Sequence, residues 1–251
     1  MRKYAIIGIP ILIVFLLCCF CAGVLVLGYM QGRGSGKVIE EEREISQFDR
    51  IRLEGQGNLI ITQADQSSLK VEAEDNIVKK IKTEVKNGEL IISYKHTSLL
   101  PFGGAVFPTE DINFNIEVDD LKSVYIIGAG KMKSDYLDVD NLSLKIDGAG
   151  NARFEELYAN KLETDINGSA EVKLEGEVDV QKININGAAR FDALDLLSKD
   201  CEIVVNGAAE ATVYVTEGLD VTVDGAGKVK YDGSPENVEK HVSGLGELEE
   251  I

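Results

Sequence analysis

Gly128-Ala129-Gly130, Gly148-Ala149-Gly150, Gly168-Ser169-Ala170, Gly187-Ala188-Ala189, Gly207-Ala208-Ala209 and Gly225-Ala226-Gly227 are one short motif written again and again. With a weaker copy at Gly244, the leading glycines fall at steps of 20, 20, 19, 20, 18 and 19 residues. A fixed period of this length marks stacked supersecondary units. The residues around each glycine keep step with it. Two places before stand Ile126, Ile146, Ile166, Ile185, Val205, Val223 and Val242; four places before stand Val124, Leu144, Thr164, Ile183, Ile203 and Val221. Four places after come Met132, Ala152, Val172, Phe191, Ala211 and Val229. Polar columns, such as Lys131, Asn151, Glu171, Arg190, Glu210 and Lys228, lie between them. Strict alternation puts the apolar columns on one face of a strand and the polar columns on the other. The pattern predicts an all-β chain folded as a parallel β-helix, one coil per repeat of about 20 residues. At about 4.8 Å per coil, six or seven coils make a prism roughly 30 Å long.

The glycines occupy the corners of the coil, where positive φ or close stacking excludes a side chain. Just before them runs a column of Asp147, Asn167, Asn186, Asn206 and Asp224. Stacked amides hydrogen-bond along such a ladder. Oxygen-bearing side chains are also cation ligands. Here, however, Asn residues separate the two Asp residues, and the nonapeptide of calcium-binding β-rolls is absent. The column therefore reads as structural, and no metal, cofactor or catalytic residue is assigned.

Upstream of the repeats, residues 51–53, 59–62, 69–73, 81–85 and 90–94 are rich in Ile, Val and Leu and read as strands. Gly55-Gln56-Gly57 and Ala64-Asp65-Gln66 read as turns between them, and Asn87-Gly88 as a tight hairpin. The expected organisation is a short tail and transmembrane anchor over residues 1–32, then a linker over 33–42, with Gly32–Gly36 read as a flexible tether and Glu40–Glu42 as a solvated run. A β-rich section over 43–108 follows, then the β-helix repeats over 109–251.

The triplets Ile166-Asn167-Gly168, Ile185-Asn186-Gly187 and Val205-Asn206-Gly207, with the Gly-Ala-Gly copies, resemble the head-GIN domain, also called an auto-transporter adhesin domain. The segments Ile45-Ser46-Gln47-Phe48-Asp49-Arg50-Ile51 and Asn87-Gly88-Glu89-Leu90-Ile91-Ile92 are similar to its usual opening. The resemblance covers about residues 43–246. It implies a β-solenoid on a bacterial surface and brings no catalytic residue. Many relatives carry lipoprotein-type signals, whereas this chain opens with a long apolar run.

That run, residues 5–30, carries no charge. About 25 helical residues span roughly 38 Å, more than the ~30 Å hydrocarbon core. A cleaved signal peptide has a shorter apolar stretch and a small-residue cleavage site. The lipoprotein alternative rests on Cys18, Cys19 and Cys21, whose preceding residues do not fit a lipidation signal. The expectation is an uncleaved single-pass anchor in the cell membrane with the C-terminal domain extracytoplasmic. Basic residues flank both ends, Arg2 and Lys3 against Arg33 and Lys37, so charge alone does not set the orientation.

Every acidic residue lies beyond the apolar run, so residues 33–251 carry −19 and Arg2 and Lys3 bring the whole chain to −17. Such a surface repels nucleic acid and anionic headgroups, so nucleic-acid binding is excluded. At 44% hydrophobic and 27% charged, the chain is otherwise an ordinary folded protein. Catalytic candidates are few. The two histidines, His96 and His241, belong to no nucleophile motif, and Cys201 shares a column with Leu142, Leu162 and Leu219, as a buried thiol would. No phosphate-binding loop is present. Among abundant carboxylates, pairs such as Asp138 with Asp140 or Glu155 with Glu156 could serve a hydrolase, but adjacent acids on outward columns are more often plain solubility, and the chain has no Trp to serve as a sugar platform. The apolar segment 99–108 reads as a cap over the first coil, with a docking loop as the alternative. The reading is a membrane-anchored, extracytoplasmic, non-enzymatic β-solenoid that binds an unidentified protein or surface glycan, adhesin-like. An envelope-stress sensor acting through a membrane partner is the alternative, and a polysaccharide-active enzyme stands third.

Overall fold

The computed structural model describes residues 32–95 and 106–251. Among them, thirteen strands form one sheet that winds into a β-solenoid of about six turns. The N-terminal elements are β1 (Val38–Glu42), β2 (Arg50–Gln63), β3 (Ser68–Glu74), the single helical turn α1 (Asp75–Val78), β4 (Ile81–Lys86), β5 (Glu89–Tyr94) and β6 (Asn113–Val118). The repeats follow as β7 (Ser123–Ser134), β8 (Leu137–Gly187), β9 (Arg190–Gly207), β10 (Glu210–Gly225) and β11 (Lys228–Asp232). The stack ends with β12 (Asn237–Gly244) and β13 (Glu247–Glu250). β8 is 51 residues long because its backbone stays extended around the corners of more than two coils.

From β2 onward the stacked strands pair in parallel, glycine over glycine: Gly128 on Gly148, Gly187 on Gly207 and Gly225 on Gly244. The apolar columns point inward as their alternation predicts. Ile126, Ile146, Ile166, Ile185, Val205 and Val223 are buried, and so are Met132, Ala152, Val172, Phe191, Ala211 and Val229. Their burial is what makes each coil depend on the next. Gly168 shows why the corner residue is invariant in type along the stack. Its φ is +132°, and a Cβ there would lie 2.2 Å from the carbonyl oxygen of Gly148.

The first coil lies earlier than the period suggests. Gly55-Gln56-Gly57 is not a turn: it lies inside β2, with Gly55 on Gly128 and Gly57 on Gly130. The same Gly-x-Gly signature serves turns and solenoid corners, and the excursion over residues 64–122 hides its register with the next coil. The described strands of that excursion fold back onto the first coil. The β4–β5 hairpin turns at Asn87 and Gly88, both at positive φ, and β5 pairs with β2. β6 pairs in parallel with the second half of β2, and β3 and β1 extend the sheet in antiparallel fashion.

The segment expected as a linker contains a strand and a set of hydrogen bonds. Val38–Glu42 is an edge strand whose acidic residues blunt its free side. Residues 32–36 are fastened to the excursion by a buried carboxylate. Glu74 is fully buried and accepts hydrogen bonds from Gly36 N at 2.6 Å, Thr109 N at 2.9 Å and Thr109 Oγ1 at 2.5 Å. Gly34 leaves room for it, since a Cβ there would meet the carboxylate at 1.8 Å. Burial by itself raises the Glu74 pKa, but the hydrogen bonds from Thr109, Gly36 and Glu110 outweigh it and hold the carboxyl below its ordinary range.

No helix among the described residues is long and apolar enough to cross a membrane. The expected anchor over residues 5–30, with Cys18, Cys19 and Cys21, lies outside the described residues, as do His96 and residues 99–105 of the apolar segment.

Candidate functional site

One surface column, eight places before the leading glycines, collects Asp120, Asp140, Asn160, Asp179, Lys199 and Glu217. Together with the neighbouring column of Asp138, Tyr158 and Glu177, its first members form an open groove of about 520 Å³. Successive coils deliver these side chains to one line because alternation points them all outward. Gln63, at the end of β2, fixes the upper rim. Its Nε2 donates to the carbonyls of Asp119 at 3.0 Å and Asp138 at 2.8 Å, while its Oε1 accepts from Asp138 N at 2.8 Å. Lys199 closes the other end on Asp179 at 2.5 Å, and Asn160 donates to Asp140 at 3.3 Å. Tyr136 and Tyr158, exposed by 48% and 39%, stand beside the groove with ring centroids 6.0 Å apart. The carboxylates far outnumber Lys199, so the groove presents negative potential framed by aromatic surface.

The glycine corner is built differently. Asn206 Nδ2 donates to Asn186 Oδ1 at 2.9 Å, Asn186 to Asn167 at 3.0 Å, and Asn167 to Asp147 at 2.7 Å. All three amides donate in the same direction, so the Asn column is a hydrogen-bonded ladder that ends on a carboxylate. Asp224 stands apart from it and accepts from Ser243 at 2.9 Å. At the base, the Tyr125 hydroxyl donates to Asp147 and holds that carboxyl below its ordinary range. Arg52 and Lys145 lie over the Tyr125 ring, 5.1 and 4.9 Å from its centroid. The amide oxygens of Asn167 and Asn186 are thus engaged with neighbouring amides.

The structure places the remaining candidates individually. Asp138 and Asp140 share the groove, whereas Glu155 pairs with Arg153 at 3.4 Å and Lys133 at 3.6 Å. Cys201 is buried over Gln181 and under Leu219, and burial pushes its thiol pKa up. His241 is exposed on β12 opposite Thr222. Of the apolar segment, the described end bears on the first coil: Val106 packs against the core, and its carbonyl accepts from Gln56 at 3.0 Å. Among the described residues, no cluster of three or more His, Cys, Asp or Glu side chains is arranged to hold a metal ion. The groove was missed in sequence, although the glycine alignment carries its signal. Glu74 and Gln63 had no such signal, because each acts on residues far away in the chain.

A family model described as "Putative auto-transporter adhesin, head GIN domain" matches residues 47–235. Three solved structures share the fold. A putative adhesin from Bacteroides fragilis NCTC 9343 is 26% identical, with a TM-score of 0.80 over 87% of this chain and 99% of its own. A putative lipid binding protein from Parabacteroides distasonis ATCC 8503 is 23% identical, with a TM-score of 0.73 over 87% and 98%. A putative adhesin from Parabacteroides merdae ATCC 43184 is 22% identical, with a TM-score of 0.66 over 87% and 98%. No curated protein matches the chain.

Proposed function

The chain belongs to the head-GIN auto-transporter adhesin family, and on that premise we propose that it is a non-catalytic, adhesin-like binding module held at the outer face of a cell membrane by residues 5–30. The observation that carries this reading is the regularity of the solenoid. Its outward columns repeat the same spacing over about six turns, so an extended partner meets similar contacts coil after coil. Weak contacts in series add up to avidity when the partner spans several of them. The partner is a protein or a glycan of another surface, and the anchor leaves the whole folded part free to meet it.

Display of the full chain on a non-adherent bacterial host tests the binding. Retention is scored on immobilised surface glycans and envelope proteins. Retention on at least one of these, absent from the undecorated host, is expected; none on any surface would overturn the reading. The combined change Asp138→Asn, Asp140→Asn and Glu177→Gln then separates the groove from the other flanks as the contact face. Intact-mass measurement of protein extracted from native membranes tests the anchor separately. The expected mature chain retains residues 5–30, and an acylated N-terminus at Cys19 or Cys21 would replace the anchor by lipid.

A further inference from the structure

The two ends of the solenoid are finished in opposite ways. At the N-terminal end side chains cover the first corner: the ring of Tyr94 lies 2.7 Å from where a Cβ on Gly55 would stand, and that of Phe114 lies 2.6 Å from the same point on Gly57. At the C-terminal end β12 lies on β10, and among the described residues no strand pairs with its outer side. The parallel register sets Val238 on Leu219, Lys240 on Val221 and Val242 on Val223. All three β10 residues are buried, so these β12 side chains continue the inward columns. Val238 is 42% exposed, and Val242 is half-buried. Lys240 interrupts a column in which every earlier coil has an uncharged residue: Val124, Leu144, Thr164, Ile183, Ile203 and Val221.

We propose that the outer side of β12 is a strand-pairing surface whose partner is selected by Lys240. It accepts an extended protein strand that carries a carboxylate between two inward apolar residues, and it rejects a second copy of this chain. An open strand presents a row of unpaired backbone groups and recruits another strand through them. Two copies of β12 meeting antiparallel about a twofold axis would match Val238 with Val242 on both sides. That register sets each Lys240 directly opposite its counterpart, and like charges opposite one another destabilise the pair. A two-residue slip removes the repulsion but lays the ammonium over a valine instead. A carboxylate in the central position turns the same lysine from an obstacle into a contact.

Sedimentation equilibrium of the full chain in density-matched detergent tests the proposal with wild type, Lys240→Val and Lys240→Glu. The β12 strand of Lys240→Glu is itself an apolar–carboxylate–apolar strand, so that variant serves as the probe. Lys240→Val is expected to sediment at twice the wild-type mass. An equimolar mixture of wild type and Lys240→Glu is expected to form a double-mass species that neither forms alone. Equal masses for Lys240→Val and wild type would overturn the guarding role. Failure of the mixture to associate, or self-association of Lys240→Glu, would overturn the selection of a carboxylate.

Discussion

The strands of residues 123–232 and the described strands before them belong to one sheet but are held together by different means. In the repeats each coil is the template for the next, and the same few residue types recur in the same columns. In the N-terminal region only β2, the first coil, keeps those columns, and nothing after it recurs. To its share of the buried core the region adds single placements: Tyr94 and Phe114 over the first corner, and Glu74 under the chain that leads in. Where stacking does the work, a defect is felt by both neighbouring coils. Where a single group does it, the defect is local and can depend on solution conditions.

The largest test of this contrast is Ile166→Asp, which puts a carboxylate into a fully buried column. A loss of ~4 kcal/mol or more is expected, read as the collapse of the cooperative thermal transition. A variant that melts like wild type would mean that the coils do not stack as described. Gly168→Ala comes next. Its Cβ would meet the Gly148 carbonyl at 2.2 Å, and about 3 kcal/mol is expected from overlap and backbone strain together. Gly36→Ala, in the N-terminal region, has a φ of +76° but open space around the new methyl, so only about 1 kcal/mol is expected there. Chemical denaturation of the two variants side by side measures the difference, and equal losses would erase the distinction between a stacked and an isolated glycine.

Glu74→Gln sharpens the comparison through pH. The folded-state pKa of Glu74 lies below its ordinary value of 4.5, so its contribution is fully present above that value. It is lost as pH falls through the folded pKa. About 2 kcal/mol of destabilisation is expected at neutral pH, shrinking toward zero in acid below the ordinary value. Melting curves at pH 7 and in strong acid check it, and a loss that does not depend on pH would show that packing, not charge, fastens residues 32–36. The smallest effect belongs to the Asn ladder. Asn186 is exposed, so water can replace its partners, and Asn186→Ala is expected to cost only about 0.5–1 kcal/mol. A large loss, or one restored by calcium, would show that the column does more than tie coils together.

These cases also show what could be read from the sequence. The period was visible because stacking requires the same kind of residue at the same place in every coil, as with Ile126, Ile146, Ile166 and Ile185. Inward and outward faces followed from alternation alone. The first coil was hidden, because an excursion between Gln63 and Ser123 breaks the count while leaving Gly55 in register. The hydrogen bonds of residues 32–36 were hidden for a related reason. A Gly-Ser-Gly run signals freedom only if nothing distant claims it, and the claimant, Glu74, lies some forty positions away with no local mark. The groove stood between these extremes: its acids share the period of the glycines, but their convergence on Gln63 required the fold.

The fastening of residues 32–36 has a mechanical consequence. A pull on the chain from its N-terminal side does not begin by unwinding a coil. It is borne first by the Glu74 cluster and by the bond from Gly34 N to the Phe107 carbonyl, and then passes along β1 into β3 and β6. Tension thus enters at the outermost strand of the sheet, and the regular coils lie downstream of that junction.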